Sequence, residues 1–142
     1  MLRVKIEIPE KVYHTYTFTI TPEDINMADH VGNERILKFA NDAREDFFNQ
    51  LSFKLNDYEN KIGIVIANHT INYKSEGFLN DTISCSIGID TITECSFDIV
   101  FHFVKNNEKT MALVRSGCVN FDFNTHKIQP LPDDFHATFQ NK

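Results

Sequence analysis

The chain has 142 residues, of which 42% are hydrophobic, 24% are charged and 13 are phenylalanines. This size and composition are typical of one globular domain with one apolar core, so we predict a single domain over residues 1–142. The formal net charge of -6 argues against a nucleic-acid binder, because such proteins normally present a basic surface.

The sequence predicts neither a leader nor a membrane-spanning segment. The opening, MLRVKIEIPE, carries charges throughout, whereas a signal peptide needs an uninterrupted apolar run. No segment approaches the roughly 20 apolar residues that cross a bilayer. The cysteines Cys85, Cys95 and Cys118 have no close spacing and fit free thiols of a reducing compartment, where they act as small hydrophobes. We therefore expect a cytoplasmic protein with no membrane partner.

The first third of the chain predicts a strand, a polar loop and one long helix. Residues 13–20, YHTYTFTI, alternate as a strand does. A polar loop over residues 23–32 precedes a helix from Asn33 to about Leu51, whose N-terminus Asn33 or Asp29 is expected to cap. Apolar residues recur along this helix at helical spacing, at Ile36, Phe39, Ala40, Ala43, Phe47 and Leu51.

The rest of the chain changes to a period of two, which is typical of strands. Only short breaks separate these strands, so we predict antiparallel neighbours, because parallel strands need long crossovers. Pro130 and Pro132 end the sheet. One helix covering about five antiparallel strands is an α+β architecture. The four later strands are predicted over residues 62–76, 81–92, 95–105 and 109–123.

The loop and the helix together resemble a known family. The string NMADHVGNERILKFANDAR, above all His30-Val31-Gly32-Asn33 and Asp42-Ala43-Arg44, is similar to the loop and helix of hotdog-fold thioesterases of the 4-hydroxybenzoyl-CoA thioesterase type. The resemblance extends over nearly the whole chain. It implies the hotdog fold, in which an antiparallel sheet wraps one long helix. It also implies hydrolysis of an acyl-CoA or acyl-carrier-protein thioester to a free acid and a thiol.

One position departs from the pattern of that family. The family places its catalytic aspartate four residues before the histidine, and this chain has Asn26 there. An amide carries no charge and cannot act as nucleophile or general base. Asp24 and Asp29 in the loop, and Asp42 in the helix, are the alternative carboxylates.

The start of the helix is the candidate site for polarising the thioester carbonyl. The first N–H groups of a helix have no partner inside it, and the helix dipole favours negative charge there. The N–H groups of Gly32 and Asn33 are therefore candidate donors, although both residues would also suit a simple turn and cap. His30 is either a catalytic group or a residue that orders the loop and borders the pocket.

The resemblance also implies the walls of the pocket, where it places Tyr73, Lys74 and Ser96. Asp29 and Asp42 are further candidates for contacts with the substrate. The histidines are scattered without the spacing of metal ligands. We therefore predict no metal and no cofactor, since coenzyme A is part of the substrate. Candidate cations for the nucleotide phosphates are Lys74, Lys105, Lys109 and Arg115.

Two other functions remain open at this point. The run Asp24-Ile25-Asn26, followed by His30, resembles that of hotdog-fold enoyl-CoA hydratases. A non-catalytic module that binds an acyl ligand is the other alternative, because Asn26 removes the usual acid. In the resembled family two sheets join edge to edge. Since a five-stranded sheet also leaves long edges unpaired, we predict a homodimer or a homotetramer.

Overall fold

The computed structural model describes residues 1–140 and contains one long helix and one antiparallel sheet. A single 3-10 turn, Pro22–Asp24, follows the first strand. No helix in the described part of the chain is long and apolar enough to cross a membrane. In chain order the elements are β1 His14–Thr19, α1 Arg35–Gln50, β2 Ile62–Tyr73, β3 Thr82–Asp90, β4 Ser96–Lys105, β5 Lys109–Asp122, β6 Lys127–Ile128 and α2 Asp133–Phe139.

The strands form one sheet in the order β1-β3-β4-β5-β2, and the short β6 lies beside β5. Every pairing is antiparallel. The strands β1 and β2 are the two edges, because each has a neighbour on one side only. One long helix against five long antiparallel strands confirms the predicted α+β architecture.

The core lies between α1 and one face of the sheet. The apolar stripe of α1 is buried at the spacing that the sequence predicted. The alternate residues of β4 from Phe97 to Phe103 point to the same face of the sheet and are fully buried. These two sets of side chains meet in one cluster, which contains Phe39, Ala40, Ala43 and Phe47 from α1 and Phe97, Ile99, Phe101 and Phe103 from β4.

The opposite face of the sheet is covered in part by the N-terminal arm, residues 1–12. Ile6 packs with Val100 and Leu113 in a small apolar cluster of their own. The side chain of Asn72 fixes the arm, since its Oδ1 accepts from Ile6 N at 2.9 Å and its Nδ2 donates to Val4 O at 2.8 Å. Two hydrogen bonds with the buried side chain of Asn72 thus attach the arm to the sheet.

The predicted cap of the helix is wrong. The helix begins at Arg35, and Glu34 precedes it without any side-chain hydrogen bond to the first turn. Asp29 adopts a φ of 64° and lies in a tight turn in which its N–H donates to Asn26 O at 3.1 Å. The chain enters the helix through a backbone bond from Arg35 N to Gly32 O at 3.0 Å, so no side-chain acceptor takes the place expected for Asn33.

Two further boundaries differ from the sequence prediction. β2 ends at Tyr73 instead of residue 76, because Lys74 N and Ser75 N both bond to Met111 O and break the ladder. The helix α2 was not predicted, since two prolines precede it. Its Phe135 is fully buried, with its ring 4.5 Å from that of Phe97.

We expect Phe135→Ala to lower the free energy of unfolding by about 3–5 kcal/mol, because it leaves a cavity where α2 meets the sheet. Urea denaturation followed by circular dichroism measures this change. Phe123→Ala is the matched control, since Phe123 is 47% exposed and should cost much less. Equal losses in the two variants would contradict the placement of α2.

Candidate active site

The loop before α1 is held by the carboxylate of Asp24, which is buried. Oδ1 accepts from Arg35 Nε at 2.9 Å and from Arg35 Nη2 at 2.6 Å. Oδ2 accepts from Thr21 N at 2.9 Å and from Thr21 Oγ1 at 3.1 Å. Burial by itself raises the pKa of Asp24, but the hydrogen bonds from Thr21 and Arg35 outweigh burial and leave that pKa below its usual value. The carboxylate is therefore an anion that anchors the loop to α1.

Backbone hydrogen bonds complete the fixation of this loop. Gly32 N donates to Asp24 O at 3.1 Å, and Val31 N donates to Gly77 O at 2.9 Å. Because Gly32 is buried and its N–H already donates to Asp24 O, this N–H is not available to a ligand. Of the two donors expected from the sequence, Gly32 is thus engaged in holding the loop.

A pocket of about 340 Å³ lies beside this loop, where α1 begins and β2 ends. Five of the residues predicted from the sequence line it, namely Asn26, His30, Asn33, Tyr73 and Lys74. The remaining lining residues are Val31, Ile36, Ser75, Glu76, Gly77 and Met111.

The pocket contains hydrogen-bond donors that the protein itself does not use. Within residues 1–140, the N–H of Asn33 has no acceptor. Its carbonyl accepts from Tyr73 Oη at 3.2 Å, which holds the peptide in place. Asn26 Oδ1 accepts from Ala28 N at 2.9 Å, and the NH₂ group of Asn26 has no acceptor among the described residues. Both groups can donate to a carbonyl oxygen bound in the pocket.

Asp24 and Gly32 do not line this pocket, and three further predicted site residues also lie outside it. Asp29 is exposed on the outer side of its turn. Asp42 forms an ion pair with Lys38 one helical turn away. Ser96 begins β4, where its hydroxyl lies 2.7 Å from Thr93 Oγ1. Its partner on β5 is seven residues beyond the partner of Tyr73, roughly 20 Å away along the strand.

Glu76 is the charged lining residue that the sequence analysis did not identify. Within the described chain it supplies the only carboxylate of the pocket wall, and its Oε1 lies 3.9 Å from His30 Nε2. Sequence reading had assigned residue 76 to the end of β2. The charged residue that precedes Gly77, at the point where the alternation stops, was the available signal.

A second, wider groove of about 1010 Å³ lies along the C-terminal half of α1, the loop over residues 51–61 and the start of β2. Arg44 lines it, and within residues 1–140 its buried Nη1 has no hydrogen-bond partner. Burial lowers the pKa of this guanidinium. Apart from Arg44, which the resemblance matched, and Leu51 of the apolar stripe, no residue named in the sequence analysis lines this groove.

The buried cysteines are poor nucleophiles. Cys85 and Cys118 belong to the core, and Cys95 is half-buried. Burial raises the pKa of the Cys118 thiol to about 12 and that of Cys85 well above its usual value, so neither forms a thiolate near neutral pH. Among residues 1–140 no three His, Cys, Asp or Glu side chains are grouped so that they could hold a metal ion.

Asp24→Asn should lower the free energy of unfolding at neutral pH by about 2–3 kcal/mol, because it removes a charge-assisted contact with Arg35 from a buried place. The pKa of Asp24 is depressed by folding. Its contribution is therefore present above the usual value of about 3.9 and disappears as the pH falls through the lower value of the folded state. Urea titrations at several pH values test this prediction. A difference between the two proteins that persists at low pH would contradict it.

Comparisons with known proteins identify the family and the fold. The model of the thioesterase-like superfamily matches residues 20–139. No curated protein matches the chain by sequence.

Several solved structures share the fold. BH1999, a gentisyl-coenzyme A thioesterase, is 22% identical with a TM-score of 0.78 over 87% of this chain and 99% of its own. Slr0204, a 1,4-dihydroxy-2-naphthoyl-CoA thioesterase from Synechocystis, is 15% identical with a TM-score of 0.81 over 89% and 95%. SAV2348 from Staphylococcus aureus, solved in complex with CoA, is 16% identical with a TM-score of 0.81 over 94% and 84%. The predicted hotdog fold is thus confirmed, and the chain belongs to the thioesterase-like superfamily.

Proposed function

We propose that this chain hydrolyses acyl-CoA thioesters to a free acid and coenzyme A. The observation that carries the proposal is the pocket at the start of α1, whose lining includes Asn26, His30 and Asn33. Within residues 1–140 neither the N–H of Asn33 nor the NH₂ group of Asn26 has an acceptor. An acyl carbonyl is an acceptor that fits this set of donors.

The chemistry follows from where charge develops. Attack on the carbonyl carbon turns the carbonyl oxygen into an oxyanion, and the Asn33 N–H donates to it. The dipole of α1 favours negative charge at this end of the helix, so the oxyanion is stabilised more than the ground-state carbonyl. The hydrogen bond from Tyr73 to Asn33 O keeps the donating peptide in position.

The substrate class is inferred from the surroundings of the pocket. Lys74 lines it and is exposed, so it is available for a phosphate of the nucleotide. Arg115 is less available, because Asp90 and Asp98 already bind its guanidinium. BH1999 and Slr0204, which share the fold, are thioesterases for CoA thioesters, and SAV2348 was solved with CoA. In this proposal coenzyme A enters as part of the substrate, and no further cofactor takes part.

The alternative favoured by a specific observation is a module that binds an acyl ligand without turnover. Asn26 lies in the pocket, and its amide can hold a carbonyl but cannot take a proton. Binding without hydrolysis would result if no other base replaced the missing acid.

A panel of acyl-CoA esters, with short, long and aromatic acyl groups, tests the proposed function. We expect thiol release with at least one of them, measured by a thiol-reactive dye. Tyr73→Phe should lower kcat by about tenfold, because it frees the donating peptide, and Tyr13→Phe is the control, since Tyr13 lines neither the pocket nor the wide groove. Ester binding without thiol release would support the binding module, and consumption of trans-2-enoyl-CoA would support a hydratase.

A homodimer is the second part of the proposal. The strand β2 is an open edge of 12 residues, and long open edges are normally paired or covered. Its end, at Tyr73, borders the pocket, and its start, Ile62–Ile64, borders the wide groove. Antiparallel pairing of β2 with the same strand of a second copy would therefore bring the pocket of one protomer next to the groove of its partner.

Light scattering at micromolar concentration should give at least twice the mass of one chain, which is 16.4 kDa. Ala67→Lys should shift the protein towards monomers, because Ala67 is exposed on β2 and a lysine there opposes edge pairing. Thr15→Lys, at an exposed position of the other edge strand β1, is the matched control. A mass of one chain for the unmodified protein would refute the dimer.

A further inference from the structure

His30 and Glu76 form a pair inside the pocket that the sequence resemblance does not account for. His30 Nε2 and Glu76 Oε1 are 3.9 Å apart, and the two side chains are 30% and 63% exposed. On the basis of the proposed hydrolysis, we propose that His30 and Glu76 together hold the attacking water and that His30 takes its proton. The pair would then replace the acid that Asn26 lacks.

The backbone holds these two side chains next to each other. Val31 N donates to Gly77 O at 2.9 Å, and this bond joins the residue after His30 to the residue after Glu76. A Cβ on Gly77 would lie 2.8 Å from Met111 Sδ and 2.9 Å from Val31 Cγ2. The two loops thus approach as closely as packing permits, and their neighbouring side chains are forced into the same pocket.

The loop that carries Glu76 is also fixed on its other side. Ser75 Oγ donates to Thr110 O at 2.7 Å, and Lys105 Nζ donates to the carbonyl of Glu76 itself. These bonds attach the loop to β5 and to the end of β4. Although its carboxylate is exposed, Glu76 therefore stands on an immobilised backbone.

The environment of the imidazole decides which nitrogen can act as a base. His30 Nδ1 lies 3.2 Å from Val31 O. A carbonyl oxygen can only accept, so in the neutral ring Nδ1 carries the hydrogen and donates it. Nε2 then has a free lone pair, and it is the nitrogen nearer to Glu76.

The separation of 3.9 Å suits a bridging water. It is too long for a direct hydrogen bond, whereas a water about 2.8 Å from both atoms can donate one hydrogen to each. In the reaction this water forms a bond from its oxygen to the carbonyl carbon while Nε2 takes one of its protons. The C–S bond then breaks, and the leaving sulfur takes the proton from Nε2. The products are a carboxylic acid and a thiol, and the imidazole is regenerated.

Glu76 has two tasks in this step. Its carboxylate orients the water, and its negative charge stabilises the imidazolium while the proton resides there. Lys74 is the other charged lining residue besides this pair, and its positive charge opposes that stabilisation. Because Glu76 is well exposed, solvent screening keeps its electrostatic effect modest. We therefore expect a smaller effect from Glu76 than from His30.

The test is a double-mutant cycle with an ester that the wild-type protein hydrolyses. His30→Gln should lower kcat by about 10²-fold, and Glu76→Gln by about tenfold, with little change in KM. Adding Glu76→Gln to His30→Gln should cost clearly less than Glu76→Gln costs alone, because the imidazolium that Glu76 stabilises no longer forms. Glu94→Gln, an exposed charge in the loop between β3 and β4, is the control.

Glu76→Asp keeps the charge and should retain more of the rate than Glu76→Gln. Circular dichroism of each variant excludes a folding defect as the cause. Wild-type protein that hydrolyses no ester would refute the proposed function and the pair with it. Hydrolysis that survives Glu76→Gln unchanged would refute the pair alone, most clearly if Asn26→Asp raised turnover steeply. A larger loss from Glu76→Gln than from His30→Gln would make the carboxylate the base and overturn the role given to His30.

Discussion

The buried carboxylate of Asp24 is the constraint on which the site depends. Its two oxygens bind Arg35 and Thr21, and its carbonyl accepts from Gly32. The end of β1, the loop and the first turn of α1 are thereby joined through one residue. Because these bonds fix the loop, they also fix the position of the Asn33 N–H at the start of α1. The anion therefore acts on the pocket by shaping its wall.

The sequence predicted most of the fold because its signals are local. The apolar spacing of α1 and the alternation of the five long strands are periodic, and the observed bounds differ by only a few residues at each end. The short helix α2 was not predicted, because prolines such as Pro130 and Pro132 can end a sheet or precede a helix equally well. The end of β2 was misplaced because Met111 O accepts two N–H groups, from Lys74 and Ser75. A hydrogen bond between residues so distant in sequence does not change the alternation of apolar and polar residues.

The site was predicted only in part, for a different reason. Asn26, His30 and Asn33 were found because they are consecutive features of one loop. Asp24 belongs to the same loop, but its carboxylate binds Arg35 instead of lining the pocket. The spacing of residues along the sequence does not predict such an ion pair. Glu76 reaches His30 through a contact between two loops that are remote in sequence. Chemical type can be read from a single residue, whereas a partner across the fold cannot.

The proposed pair of His30 and Glu76 differs from the arrangement of the resembled family in the segment that supplies the carboxylate. The family pattern places its acid four residues before His30, on the same segment as the oxyanion donors. Here the only carboxylate that lines the pocket within residues 1–140 belongs to the connection between β2 and β3. A water held between His30 and Glu76 would lie against both loops, so its position would depend on their contact through Val31 and Gly77.

The N-terminal arm has a consequence for higher assembly. Its residue Ile6 covers Val100 and Leu113 on the face of the sheet opposite to α1, and Asn72 holds it there. The arm covers this part of the sheet within the chain, while its own side chains Leu2, Val4, Ile8 and Val12 are exposed. Two copies that stacked on this face would therefore meet through their arms before their sheets could touch.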